Sequence, residues 1–154
     1  MSAPGKWVPR VTVDGSVEYD GEGKSLFFPY DEWAAGDAAQ GQQHRVDVLV
    51  KEEDGTKPVW LVEVKDFRFI NHPPGKGNTV NIAGKLEKKL TDTLDFLDSS
   101  SAALPDGALF RKNGAPRYFG YHCEMPKGTP SPYFPGDIRS TRCKTWSQDL
   151  FVSE

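Results

Sequence analysis

Two stretches of the chain are apolar at adjacent as well as alternate positions. Residues 45–52 read RVDVLVKE and residues 57–69 read KPVWLVEVKDFRF. Runs rich in Val and Leu, with both faces apolar apart from a few charges, predict strands at the centre of a sheet covered on two sides. Glu53-Asp54-Gly55-Thr56 separates them, and a turn built on Asp54-Gly55 would join them into an antiparallel hairpin. Upstream, WVPRVTVDGSVEYD (7–20) alternates apolar and polar around Asp14-Gly15, the pattern of a short N-terminal hairpin. In SLFFPYDEWAAGDAAQGQQ (25–43), Asp31 is a candidate N-cap for a short helix holding Glu32, Trp33 and Ala34, with Gly36 and Gly41 limiting its length.

Downstream the period changes. After the loop INHPPGKGN (70–78), Ile82, Leu86, Leu90, Leu94 and Leu97 follow helical spacing, with Ala83 and Thr93 flanking the stripe and Lys85, Lys88, Lys89, Asp92 and Asp95 mostly off it. This predicts a long amphipathic helix. APRYFGYHCEM (115–125) reads as a further strand, and TWSQDLFV near the end as a short helix or strand. Strands, a long helix and another strand imply an α/β (α+β) layered domain. One domain over 1–154 is expected, with a core at about 25–125 and a Pro/Gly-rich C-terminal extension at 126–154.

Composition narrows the class without deciding it. A chain of 154 residues can bury roughly 68–70% of its unfolded surface, so a core without disulfides or a structural metal is feasible. The net charge of -3 gives no bulk support to a nucleic-acid partner, although a local basic surface remains compatible with it. No run approaches the roughly 20 apolar residues of a membrane span, and MSAPGKWVPR lacks the apolar segment of a secretory signal. Cys123 and Cys143 make a poor disulfide framework. A cytoplasmic protein without a membrane partner is the expectation.

The charges inside the hairpin carry the chemistry. Glu63 and Lys65 lie on one side of an extended chain, and Asp47 interrupts the Val46-Val48-Val50 neighbourhood of the other strand. A two-residue loop at Asp54-Gly55 would set Asp47 opposite Val62 and point the two acids to opposite faces. A three-residue loop, or a bulge elsewhere, would set Asp47 opposite Glu63. In the second register two carboxylates repel unless one is protonated or a cation lies between them. A hard divalent ion is suited to such a pair, and a nearby Lys can orient a water or stabilise charge on a phosphorane. The ordinary alternative for Glu63 and Lys65 is a structural ion pair near a sheet edge.

Asp47 followed by Glu63-Val64-Lys65 at the end of the next strand resembles the PD-(D/E)XK nuclease superfamily, and EVKDFR looks like many of its members. The resemblance spans roughly residues 30 to 125 and implies a restriction-endonuclease-like fold, a central mixed sheet with helices on both sides. It implies a Mg²⁺- or Mn²⁺-dependent nuclease cutting phosphodiester bonds, in DNA ahead of RNA. Asp47 and Glu63 would be metal ligands, Val64 would lend its backbone carbonyl, and Lys65 would be the catalytic lysine. Many members place a further Glu on a helix before the hairpin, an order Glu32 fits and Glu18 and Glu22 fit less well. Val46 stands where the superfamily's leading Pro would be, a position loose among its members. A catalytically inactive relative serving as a nucleic-acid- or protein-binding module is the alternative, and homodimerisation is left open.

Other residues were weighed for contact with substrate. Lys85, Lys88 and Lys89, with Arg45 ahead of the first strand, could grip a phosphate backbone, or simply form solvated faces. DIRSTRCKTW (137–146) interleaves base and aromatic in a way that suits single strands or phosphates. His122 with Cys123 and Cys143 lacks the paired spacing of a zinc site. Trp60 and Phe67 are assigned to the core.

Overall fold

The structure, a computed structural model, describes residues 5–13, 17–35, 44–53, 58–66, 79–124 and 144–146, with backbone alone at 65–66, 79–84, 101, 123–124 and 144–146. The elements in chain order are strands β1 (Arg10–Val13), β2 (Val17–Asp20) and β3 (Ser25–Phe28), a single helical turn α1 (Tyr30–Trp33), strands β4 (Val48–Glu52) and β5 (Val59–Asp66), helix α2 (Thr79–Ser100), two 3-10 turns (Ser101–Ala103 and Gly107–Phe110), and strands β6 (Arg117–Glu124) and β7 (Lys144–Trp146). β1 and β2 form a two-stranded antiparallel sheet, and the other five strands form one mixed sheet in the order β3-β4-β5-β6-β7.

Strand β5 is central because it is apolar on both faces. It pairs antiparallel with β4 and parallel with β6, and a parallel partner requires a crossover long enough to return the chain, which α2 provides. The two faces of β4 and β5 lead to two separate cores. Leu49, Val59 and Leu61 pack with Leu86, Leu90, Leu94 and Leu97 of α2 and with Phe28, Phe119 and Tyr121. Val48, Val50, Val62 and Val64 face the other way, toward Val13, Val17, Tyr19 and Phe27. Each large aliphatic side chain fully withdrawn from water contributes roughly 1.5–3 kcal/mol, so the leucine stripe of α2 is a principal anchor of the fold.

Several expectations need correction. Among the described residues helix covers only one face of the sheet; the opposite face is closed by the β1–β2 hairpin, whose alternate residues Val13, Val17 and Tyr19 supply the apolar surface a helix would otherwise present. Asp31 does not cap α1: Pro29 stands at the N-cap without a side-chain bond, and Asp31 lies within the turn. Its carboxylate is drawn to Arg45 at 2.9 Å, while its N–H donates to the Asp47 carbonyl at 3.2 Å. SLFF (25–28) is a strand, paired with β4 from Ser25↔Glu52 to Phe28↔Leu49. The C-terminal extension is not wholly outside the core sheet, since Lys144–Trp146 pairs with β6 as β7. The 54–57 turn, the 70–78 loop, Phe67 and most of DIRSTRCKTW lie outside the described residues.

Candidate functional site

The register of the hairpin decides which side chains can meet. Val48 pairs with Val62, Leu49 with Leu61 and Val50 with Trp60, which continues to Asp47 opposite Glu63 and matches the convergent register. The ladder itself stops at Val48. The Asp47 N–H donates to the Val62 carbonyl at 3.0 Å, although Val62 is already the partner of Val48, so β4 begins with a bulge-like step. Two further bonds hold that step. The Val46 N–H donates to Thr93 Oγ1 on α2 at 3.1 Å, and the Val64 N–H donates to Asp47 Oδ2 at 2.8 Å. The carboxylate of Asp47 therefore takes a place on β5 that a backbone carbonyl would fill in a regular ladder.

The two acids are close neighbours, and burial beside Glu63 favours Asp47 keeping its proton. Burial, followed by the repulsion of Glu63, pushes the Asp47 carboxyl from 3.8 up to about 8; the Val64 N–H and the positive charge of Lys89 pull it partly back, and the bond to Glu63 adds to the rise. Glu63 is fully buried in the middle of β5. Its Oε2 accepts from Lys89 Nζ of α2 at 2.5 Å. One ammonium thus serves two carboxyl groups at the end of a buried hairpin. Acid pairs of this kind, with one proton pushed far from its ordinary range, are more common at functional sites than elsewhere.

Sequence offers Lys89 as one of three lysines on a helix face, and the structure separates it from the others. Lys85 and Lys88 are exposed, whereas Lys89 is about three-quarters covered and reaches Glu63. Its signal in the sequence was its place in the row 85–89–93, since residues four apart share a face and Thr93 flanks the buried stripe. Arg45, the candidate phosphate contact ahead of β4, bonds Asp31 through Nε at 2.9 Å. Lys65 follows Val64 on β5, backbone-paired with Cys123; its side chain lies outside the described residues. The Val64 side chain packs in the hairpin-facing core. His122, on β6, meets the hydroxyl of Tyr19 through Nδ1, an arrangement that ties the N-terminal hairpin to the sheet.

A cleft of about 230 Å³ opens beside Asp47, lined by Val11, Thr12, Pro29, Asp31 and Glu32 among others. Glu32 is exposed on α1 and lines this cleft together with Asp31 and Asp47, whereas Glu63 is fully buried behind it. Among the described residues no group of three or more His, Cys, Asp or Glu side chains is drawn together as a ready metal cage. The carboxyl pair alone remains adequate for a hard ion of the magnesium type, which commonly takes one or two protein carboxylates and completes its shell with water and phosphate.

No family model matches the chain, and neither the curated proteins nor the solved structures contain a significant match to it. No helix among the described residues is long and apolar enough to cross a membrane.

Proposed function

We propose that the protein is a divalent-metal-dependent nuclease of the PD-(D/E)XK type, with a restriction-endonuclease-like fold, acting on phosphodiester bonds of DNA in preference to RNA. The observation that carries this reading is the hairpin register that sets Asp47 beside Glu63, two acids buried together where an apolar pair would cost less. An acid pair whose burial and mutual repulsion keep one proton on well above the ordinary carboxylate range is a pair that gains by acquiring a cation. The donors are hard oxygens, which fits Mg²⁺ or Mn²⁺ rather than a thiolate-seeking metal.

In this reading Asp47 and Glu63 would hold the ion, with the Val64 backbone carbonyl and Glu32 as further oxygen donors. Bound there, the ion supplies Lewis-acid polarisation of a phosphate oxygen. The Val64 N–H fixes the Asp47 carboxylate in its rotamer, and the Thr93–Val46 bond fixes the bulge that presents it. Lys65, two residues beyond Glu63, would position the attacking water. Lys85 and Lys88, exposed on the same helix as Lys89, supply positive charge for the flanking phosphates. Purified protein is expected to nick or cut DNA with Mg²⁺ or Mn²⁺, and Lys65→Ala to lose cleavage with an unchanged melting temperature. Wild type as inert as that variant on DNA and RNA would reject the enzymatic reading.

One observation favours a second reading. The Lys89–Glu63 ion pair already compensates Glu63 from within the protein, as in a nuclease fold retained as a nucleic-acid- or protein-binding module. Manganese titration separates the two: a catalytic site takes up the ion through Asp47 and Glu63, and a purely structural pair leaves it in solution.

A further inference from the structure

Lys89 is held where an ammonium would obstruct a metal. Its Nζ lies 2.5 Å from Glu63 Oε2, an oxygen a divalent ion would also need. Its approach is built in rather than accidental. Leu86 and Leu90 on either side are buried in the sheet-facing core, and one turn further on Thr93 is bonded to the residue preceding Asp47. Helix α2 is therefore fixed against the hairpin at this point, while the long stem of Lys89 can redirect its charge. Lysine suits such a role because its ammonium is a compact point charge on a long rotatable chain. The part of its side chain that is not covered, about a quarter, lies on the same helix as exposed Lys85 and Lys88.

We propose that Lys89 is the internal counter-ion of the Asp47–Glu63 pair in the metal-free protein, that it is displaced from Glu63 when a divalent cation binds, and that its ammonium then becomes a ligand of a substrate phosphate. The inference rests on the metal-dependent reading above and adds an exchange: the same lysine compensates the acids before the ion arrives and meets the nucleic acid afterwards. Without such a group, the Glu63 carboxylate would be buried with no cation beside it. With it, metal and polyanion binding are coupled, because the cation releases the charge that the polyanion needs.

Lysine acetylation followed by peptide mass spectrometry reads this directly, with Lys85 and Lys88 as internal controls. Adding saturating Mn²⁺ to the whole protein should speed acetylation of Lys89 by several-fold, on the order of the exchange of a charge-assisted bond for water, and leave the two controls unchanged. Adding a DNA duplex in the presence of Ca²⁺ should slow it again. Mn²⁺ uptake is measured separately by calorimetry on the same sample. Uptake with no change at Lys89 would overturn the displacement and leave the metal site standing. Faster labelling that DNA does not slow would overturn the phosphate contact. Absence of Mn²⁺ uptake would remove the proposed function together with this inference. Lys89→Met supplies a second measure: its metal-free melting temperature should fall below wild type, and Mn²⁺ should raise it by more than it raises the wild-type value. An equal rise in both would count against a displaced lysine.

Discussion

Replacing Asp47 with Asn tests the buried acid pair without altering its shape. The Asn oxygen can still accept from the Val64 N–H, now 2.8 Å from Oδ2, and the amide can donate toward Glu63. What disappears is the titration. In the wild-type fold Asp47 keeps its proton up to about 8, whereas the unfolded chain releases it near 3.8. Between those values the native state binds more protons than the unfolded state, so the stability Asp47 contributes is complete below about 3.8 and is lost as pH rises toward 8. At pH 7 the interval is 7 − 3.8 = 3.2, a ceiling of about 4 kcal/mol at 1.36 kcal/mol per pH unit. Solvent at the mouth of the cleft raises the effective dielectric constant, and a difference of about 1–3 kcal/mol is the expected outcome. Urea denaturation in EDTA should give near-equal stabilities at pH 4.5 and a progressively more stable Asp47→Asn protein from pH 6 to 8.5. Saturating Mn²⁺ should reverse the order, since wild type gains about 2.7 kcal/mol at a hundredfold excess over Kd and the variant gains little. A gap that stays constant across this pH range, or a variant less stable than wild type at pH 8 without metal, would show that the two acids are not buried against each other.

Other substitutions probe the supports of the site. Thr93→Val removes the acceptor of the Val46 N–H and should cost about 1–3 kcal/mol in chemical denaturation, with cleavage reduced more than the melting temperature implies because the bulge at Asp47 loosens. Leu94→Ala opens a cavity at a fully buried position under the sheet and should cost about 2–5 kcal/mol by the same measurement. Gly21→Ala should impair folding, because a Cβ there would sit 1.9 Å from the Ser25 carbonyl in the turn joining β2 to β3; a soluble variant with wild-type circular dichroism and an unchanged midpoint would refute that account.

Local patterning was sufficient for the elements that bury a regular stripe. The leucines of α2 and the alternation of β1 and β2 each state a period that one kind of secondary structure satisfies, and the runs of β4 and β5 are short, β-branched and bounded by turn residues. The strand Ser25–Phe28 was missed because SLFF is too short to show a period and runs directly into the Pro29–Trp33 turn. Asp31 looked like a cap because caps are recognised by residue type, whereas Arg45, distant in sequence, determined where its carboxylate went.

The sequence by itself determined that a carboxylate at 47 and a carboxylate and an ammonium at 63 and 65 would sit on neighbouring, otherwise apolar strands. It left the hairpin register open, because the 53–56 turn permits either pairing and a slip of one residue sends the acids to opposite faces. Tertiary structure decided that question: α2 bonds through Thr93 to the residue before Asp47, and the Val62 carbonyl and Val64 N–H hold the bulge that turns Asp47 toward Glu63. It also chose Lys89 from among three helix lysines, since which cation reaches a buried carboxylate depends on how helix and sheet pack, and that information is spread over the whole core rather than written in any one segment.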